Sequence, residues 1–278
     1  MAKHLLAVGC SFTEGGIDDG PHLKNPWPKK LGEMLDCQVT NLGQSGQGND
    51  YIFTKTISEV SNNPGKYDLV CIMWTEAFRM GIPATYVRGN YITFNPAVEV
   101  WRRGCIDDLN IMDWDRTYGD DYKGALARAA TFFWYFTFGT VHPSSFVGGM
   151  IKDVLYRWID TWFTKIVALQ EFLKSQGIKL IFSQGPDIIS GMDSMNLSYL
   201  DSVRCLTEYI IENPITDTVD TDIWLNWPPV EPLGNISYLS QMWVNETTID
   251  QTDSHPNEQG HEDIAKDFFT KYKKLYGS

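Results

Sequence analysis

Three residues near the two ends of the chain have the types that activate a hydroxyl: Ser11 in Gly9-Cys10-Ser11-Phe12-Thr13, and Asp253 and His255 in Asp253-Ser254-His255-Pro256. A serine hydroxyl is a weak nucleophile until a base takes its proton. An imidazole base in turn needs a third group that fixes its tautomer and stabilises the imidazolium. Ser11 follows the apolar run Leu5-Leu6-Ala7-Val8 and the turn-permitting Gly9. Such a run, without alternation, predicts a short strand buried on both faces. The carboxyl end of such a strand is where an open α/β sheet presents side chains to a crevice. Ser11-Phe12-Thr13-Glu14 also has the Ser-x-x-Glu spacing of a helix capping box. The acid and histidine near the other end of the chain favour the nucleophile.

The acid that serves His255 is a choice between Asp253 and Asp250, with a Ser-His dyad as the third case. Residues two apart in an extended loop face the same side, which favours Asp253. Asp250 needs the chain to turn back before His255, and nothing from Gln251 to Ser254 is a Gly or Pro that would favour the turn. A metal site from Asp250, Asp253, His255 and His261 is the competing use of these residues, but their irregular spacing departs from four-ligand patterns. No metal or organic cofactor is expected.

The elements that must position these residues follow from periodicity. Trp27 to Leu35 predicts a helix with Pro28 in its first turn, Cys37 to Leu42 a second strand, and Asn49 to Val60 a helix capped by Asn49 or Asp50. Asp68 to Trp74 predicts a third buried strand. Strand, helix, strand, helix, strand implies parallel pairing with right-handed crossovers, hence a doubly wound α/β sheet. Gly43-Gln44-Ser45-Gly46-Gln47-Gly48, after the second strand, is either a phosphate cradle or a loop whose N–H groups face a reacting oxygen. The absence of a following Gly-Lys-Ser/Thr weakens the phosphate reading. Ile151 to Leu173 repeats apolar residues at three- and four-residue steps and predicts a long helix ended by Gly177. Ile178 to Ser183 predicts a fourth strand, Tyr199 to Ile211 a helix, Asp222 to Leu225 a short strand in an otherwise irregular stretch, and Glu258 to Tyr276 an amphipathic last helix.

Residues 79–149 break the pattern and read as an insertion or lid within one domain spanning 1–278. Its aromatics include Tyr86, Tyr91, Phe94, Trp101, Trp114, Tyr118 and Phe132 to Phe136. They form either the core of the insertion or a stacking platform for a sugar ring. His142-Pro143-Ser144-Ser145 reads as ordinary loop chemistry.

The composition, 43% apolar and 21% charged, is that of a globular chain long enough for a sizeable core. A net charge of −12 argues against nucleic-acid and anionic-membrane partners, whose affinity is driven by cations. The five cysteines, Cys10, Cys37, Cys71, Cys105 and Cys205, are scattered without a Cys-x-x-Cys pair, which suits a reducing compartment. The four-residue apolar core of the first strand is too short for a signal peptide, so a soluble protein of the cytoplasm or another intracellular compartment is expected. The sequons at Asn196, Asn235 and Asn245 are then chance matches. Oligomeric state is not legible.

Three blocks together resemble a known family. Gly9-Cys10-Ser11-Phe12-Thr13 resembles the Gly-Asp-Ser block of the SGNH (GDSL-type) hydrolases. Asn41-Leu42-Gly43-Gln44-Ser45-Gly46 resembles their second block, and Asp253-Ser254-His255-Pro256 their last, in the family's order. The resemblance implies a three-layer α/β/α sandwich of flavodoxin-like type. It also implies a serine hydrolase cleaving a small acyl ester, such as an O-acetyl group on a sugar. Ser11 would be the nucleophile, His255 the base and Asp253 its orienter, with an oxyanion hole from the N–H groups of Ser11 and Gly46. The family's third-block asparagine is replaced in Met73-Trp74-Thr75-Glu76, which nominates the Thr75 hydroxyl as third donor. An O-acyltransferase would use the same residues, and a non-catalytic carbohydrate-binding or structural module on the same fold is the alternative from another class.

Overall fold

The computed structural model describes residues 2–15, 25–77, 79–83, 91–94, 150–186, 208–227, 237–249 and 255–277. The first three predicted strands become β1 (His4–Val8), β2 (Gln38–Asn41) and β3 (Leu69–Trp74). Two short strands follow, β4 (Met80–Pro83) and β5 (Tyr91–Phe94), and then β6 (Lys179–Gln184). A four-stranded sheet has the order β2-β1-β3-β6, with every pair parallel. β4 and β5 pair antiparallel with each other, a hairpin in the stretch where the sequence shows no period.

Parallel neighbours need crossovers, and helices supply them. They are α1 (Ser11–Glu14), α2 (Trp27–Leu35), α3 (Asn49–Asn62) and α4 (Met150–Ser175), followed by α5 (Tyr238–Asn245) and α6 (Glu258–Tyr276). Because successive side chains of a strand face opposite ways, the sheet feeds two cores. Leu6, Val8, Ile72 and Phe182 pack with Ile52 of α3 and with Trp162 and Phe163 of α4. Leu5, Ala7, Cys71 and Ile181 pack with Leu31 of α2 and Phe268 of α6. Trp27 stacks on Phe268 at 4.4 Å between centroids, locking α2 to α6. Full burial of each such side chain is worth about 2–3 kcal/mol. Helices cover both faces of a parallel sheet, which is the three-layer, doubly wound α/β architecture.

Several elements differ from the sequence reading. Thr221–Ile223 is a 3-10 turn in place of a strand, because the Asp220 carboxylate accepts the Asp222 N–H and offers the backbone an alternative to the sheet. The segment reaches β6 only in a single parallel bridge from Trp224 to Phe182, with the Leu225 N–H donating to the Phe182 carbonyl at 2.9 Å. The N-cap of α3 is Gly48, and the Asn49 side chain is used elsewhere. α5 lies where irregular structure is expected. Residues 208–212 are helical, and the start of the helix read from Tyr199 lies outside the described residues, as do most of the 79–149 insertion, Cys105, Cys205 and His142 to Ser145. No described helix is long and apolar enough to cross a membrane.

Candidate active site

The site forms at the carboxyl edge of β1, β2 and β3. Ser11 is the first residue of α1, directly after β1. Cys10 occupies the cap position and its side chain caps no helix N–H, so no capping box forms. Gly9 is required by close packing, since a Cβ there would lie 2.1 Å from Thr13 Oγ1 and 3.0 Å from the Met73 carbonyl oxygen. Ser11 Oγ lies 2.8 Å from His255 Nε2 and is nearly buried. The Phe12 ring packs against the imidazole at 5.5 Å. As the first helical residue, Ser11 has an N–H with no acceptor inside α1.

His255 reaches this point by a different device. Thr248 and Pro256 form an antiparallel bridge, with the Ile249 N–H donating to the His255 carbonyl at 2.9 Å and the Asn257 N–H to the Thr247 carbonyl at 2.9 Å. Asn257 then caps α6, its Oδ1 accepting the Gly260 N–H at 3.0 Å while its Nδ2 donates to the Thr248 carbonyl at 2.9 Å. Ile249 and His255 are thereby held side by side just ahead of α6. Asp250 and Asp253 themselves lie outside the described residues.

The second-block loop is a tight turn in which the Gln47 N–H donates to the Gln44 carbonyl at 3.2 Å and Gly46 has φ +76°. Positive φ at the third position is the type II signature and selects glycine. This turn is laced to the serine loop. The Gln44 N–H donates to the Gly9 carbonyl at 3.1 Å, Asn41 Nδ2 to the Thr13 carbonyl at 2.9 Å, and the Gly43 N–H to Asn41 Oδ1 at 2.8 Å. A Cβ on Gly43 would lie 2.4 Å from the Glu14 nitrogen.

Thr75, nominated as a third oxyanion donor, has its hydroxyl engaged with a neighbour. It is fully buried at the end of β3, and its hydroxyl donates to the Glu76 carboxylate, which also accepts Arg79 Nη2 at 2.6 Å. A hydroxyl has one proton, and here the one Thr75 holds goes to Glu76. Burial pulls the Arg79 pKa down, but Glu76 and the neighbouring Cys10 thiol hold it above its ordinary value. Burial pushes the Cys10 thiol up, which disfavours the reactive thiolate there.

The sequence missed Asn49. Its Oδ1 accepts the Thr75 N–H at 3.1 Å and its Nδ2 donates to the Thr75 and Glu76 carbonyls at 3.2 and 3.0 Å, pinning the end of β3. Its position at a helix start signals a cap, which hides this role. His261 is buried on α6, where its Nδ1 accepts the Trp27 N–H at 3.3 Å. Among the described residues no group of three or more His, Cys, Asp or Glu is arranged to hold a metal.

Sheet order and site layout define a doubly wound α/β protein with a Ser-His pair at the strand ends, and in this the chain resembles the SGNH hydrolases. No family model and no curated protein matches it. Similar solved structures include a putative lipolytic protein of the G-D-S-L family from Desulfitobacterium hafniense (12% identity, 97% of this chain and 99% of that one, TM-score 0.43). Two others are the psychrotrophic esterase EstA from a Pseudoalteromonas species (10%, 99% and 100%, 0.44) and the acetylxylan esterase Axe2 from Geobacillus stearothermophilus (14%, 97% and 93%, 0.42).

Proposed function

We propose that the chain is a carboxylic ester hydrolase acting on a small acyl group, with an O-acetylated sugar as its substrate class. The observation that carries this is the 2.8 Å approach of His255 Nε2 to Ser11 Oγ beside the Gly46 turn. With the proton on Nδ1, Nε2 accepts the serine proton as Oγ attacks the acyl carbonyl, and then returns it to the leaving alkoxide. Water repeats the cycle on the acyl-enzyme. The developing oxyanion is met by the N–H groups of Ser11 and Gly46, each such donor being worth roughly 3 kcal/mol. Asp253 orients His255, with Asp250 as the alternative. The free thiols of Cys10, Cys37 and Cys71 suit a reducing compartment. The commitment of the Thr75 proton to Glu76 favours a second reading, a non-catalytic glycan-binding module, because it removes a donor from the hole.

Hydrolysis of p-nitrophenyl acetate, butyrate and octanoate, beside release of acetate from O-acetylated sugars, tests the proposal. The short ester should be preferred, and Ser11→Ala should abolish turnover with little loss of stability. The acid is identified by comparing Asp253→Asn with Asp250→Asn in kcat/KM across pH 5 to 9, where the true partner should lose on the order of 10⁴-fold and the bystander almost nothing. Activity surviving Ser11→Ala would overturn the mechanism. Absence of turnover in the unaltered protein would favour the binding module.

A further inference from the structure

We infer that Glu14 is a positioning residue that holds the Gly46 N–H in place by clamping Ser45 to the nucleophile helix. The inference rests on the reading of Ser11 as nucleophile and Gly46 as oxyanion donor, and adds a residue to that site. Glu14 is the last residue of α1, one turn beyond Ser11. Its Oε2 accepts the Ser45 N–H at 2.6 Å and the Ser45 hydroxyl at 2.5 Å. Hydrogen bonds to a carboxylate are the short and strong kind. Ser45 is the residue before Gly46, so anchoring its N–H and its side chain, in a turn closed from Gln47 to Gln44, restrains the peptide plane that carries the Gly46 N–H.

Gly46 needs such a constraint. Nothing lies within 4 Å of the place where its Cβ would stand, so no packing holds it, and glycine is the residue most free to leave a given φ. In a turn closed from Gln47 to Gln44, the N–H of the third residue lies outside the turn's own hydrogen bond. Its direction is therefore set by its neighbours. Glu14 and Ser11 share one short helix, so the carboxylate ties the oxyanion donor to the same element that carries the nucleophile. A displacement of about 1 Å between the two is enough to cost a large share of the rate.

The test compares the unaltered protein with Glu14→Ala, Glu14→Gln and Ser45→Ala in p-nitrophenyl acetate hydrolysis and in backbone amide exchange. Loss of the clamp should lower kcat roughly 10- to 100-fold in Glu14→Ala with KM within about twofold, since the donor acts on the transition state. Glu14→Gln keeps an acceptor oxygen and should restore most of that loss, which a general destabilisation would not allow. Ser45→Ala removes only the hydroxyl and should fall between. Amide exchange at Ser45 should quicken at least tenfold in Glu14→Ala. Unchanged kcat and unchanged exchange in Glu14→Ala would overturn the inference, as would a loss shared equally by kcat and KM that glutamine fails to restore. If the unaltered protein hydrolyses no ester, the esterase reading fails by itself. The exchange result then decides whether Glu14 sets the turn. Should Glu14→Ala fail to fold, Ser45→Ala and Glu14→Gln carry the same comparison.

Discussion

Ser11 and the Gly43–Gly46 turn follow adjacent strands of one sheet and are laced to each other through Gly9, Thr13, Glu14 and Asn41. His255, by contrast, is held by a short backbone ladder to Thr247 and Ile249 and by the cap of α6. The serine side is built from close approaches that only glycine permits, at Gly9 and Gly43. The histidine side is built mainly from backbone pairing, with one side chain, Asn257, joining ladder to helix, and a single close approach at Gly260, where a Cβ would lie 2.6 Å from the Thr247 carbonyl oxygen. The difference teaches where the site is brittle. A methyl group at Gly9 or Gly43 should part the Ser11 loop from the Gly46 turn, whereas His255 should be loosened chiefly by removing a hydrogen-bonding group.

The largest break is expected at Gly43→Ala, because the new Cβ meets backbone, the Glu14 nitrogen at 2.4 Å and the Thr13 carbonyl carbon at 2.6 Å, and neither can swing away. Such overpacking costs about 1–3 kcal/mol. Since relief requires the two loops to part, kcat should fall by at least about 100-fold even where thermal denaturation shows a folded protein. Asn257→Ala should have an intermediate effect. It removes the acceptor of the Gly260 N–H and the donor to the Thr248 carbonyl, costing about 1–2 kcal/mol in denaturant unfolding, with a smaller fall in kcat than Gly43→Ala. Asn257→Asp keeps the cap and loses the donor, so it separates helix capping from the hold on the ladder.

The smallest effect is expected away from both sides, at Glu262, whose carboxylate accepts Lys30 Nζ at 3.1 Å and ties α6 to α2. The hydrogen bond from Lys30 holds its pKa below the ordinary carboxylate value. A lowered folded-state pKa contributes stability above the unfolded value, and that stability is lost as pH falls through the folded one. Glu262→Gln should therefore cost no more than about 1 kcal/mol at pH 7 and nothing at pH 2, with kcat unchanged. An effect on kcat as large as that of Asn257→Ala would erase the contrast between the site and its scaffold.

Much of the serine side was legible because its constraints are local. An apolar run, a glycine and a small polar residue at a strand end carry the pattern for β1 and Ser11, and positive φ at Gly46 is written as glycine. The histidine side was half legible. The residue type of His255 points to its use, but the pairing of Ile249 with His255 is backbone to backbone and leaves no side-chain signature. Asn49 and Glu14 were hidden for another reason. Each sits where local rules offer a sufficient explanation, a helix start and a capping box, and only the tertiary structure shows their side chains directed to Thr75 and to Ser45. Thr75 shows the converse, a residue at a significant position whose buried neighbour Glu76 claims its proton. The 3-10 turn at Thr221–Ile223 replaced a strand because an aspartate competed for the backbone, a contest that composition alone does not decide.

The pairing of Ser11 with His255 is the central claim, and covalent labelling by a p-nitrophenyl phosphonate reads it most directly. The reagent should place one adduct per chain on Ser11, located by peptide mass, with none in Ser11→Ala. Labelling of His255→Ala should be slower by at least about 100-fold, because the hydroxyl then lacks its base. An adduct elsewhere, or labelling of His255→Ala at the unaltered rate, would contradict the account.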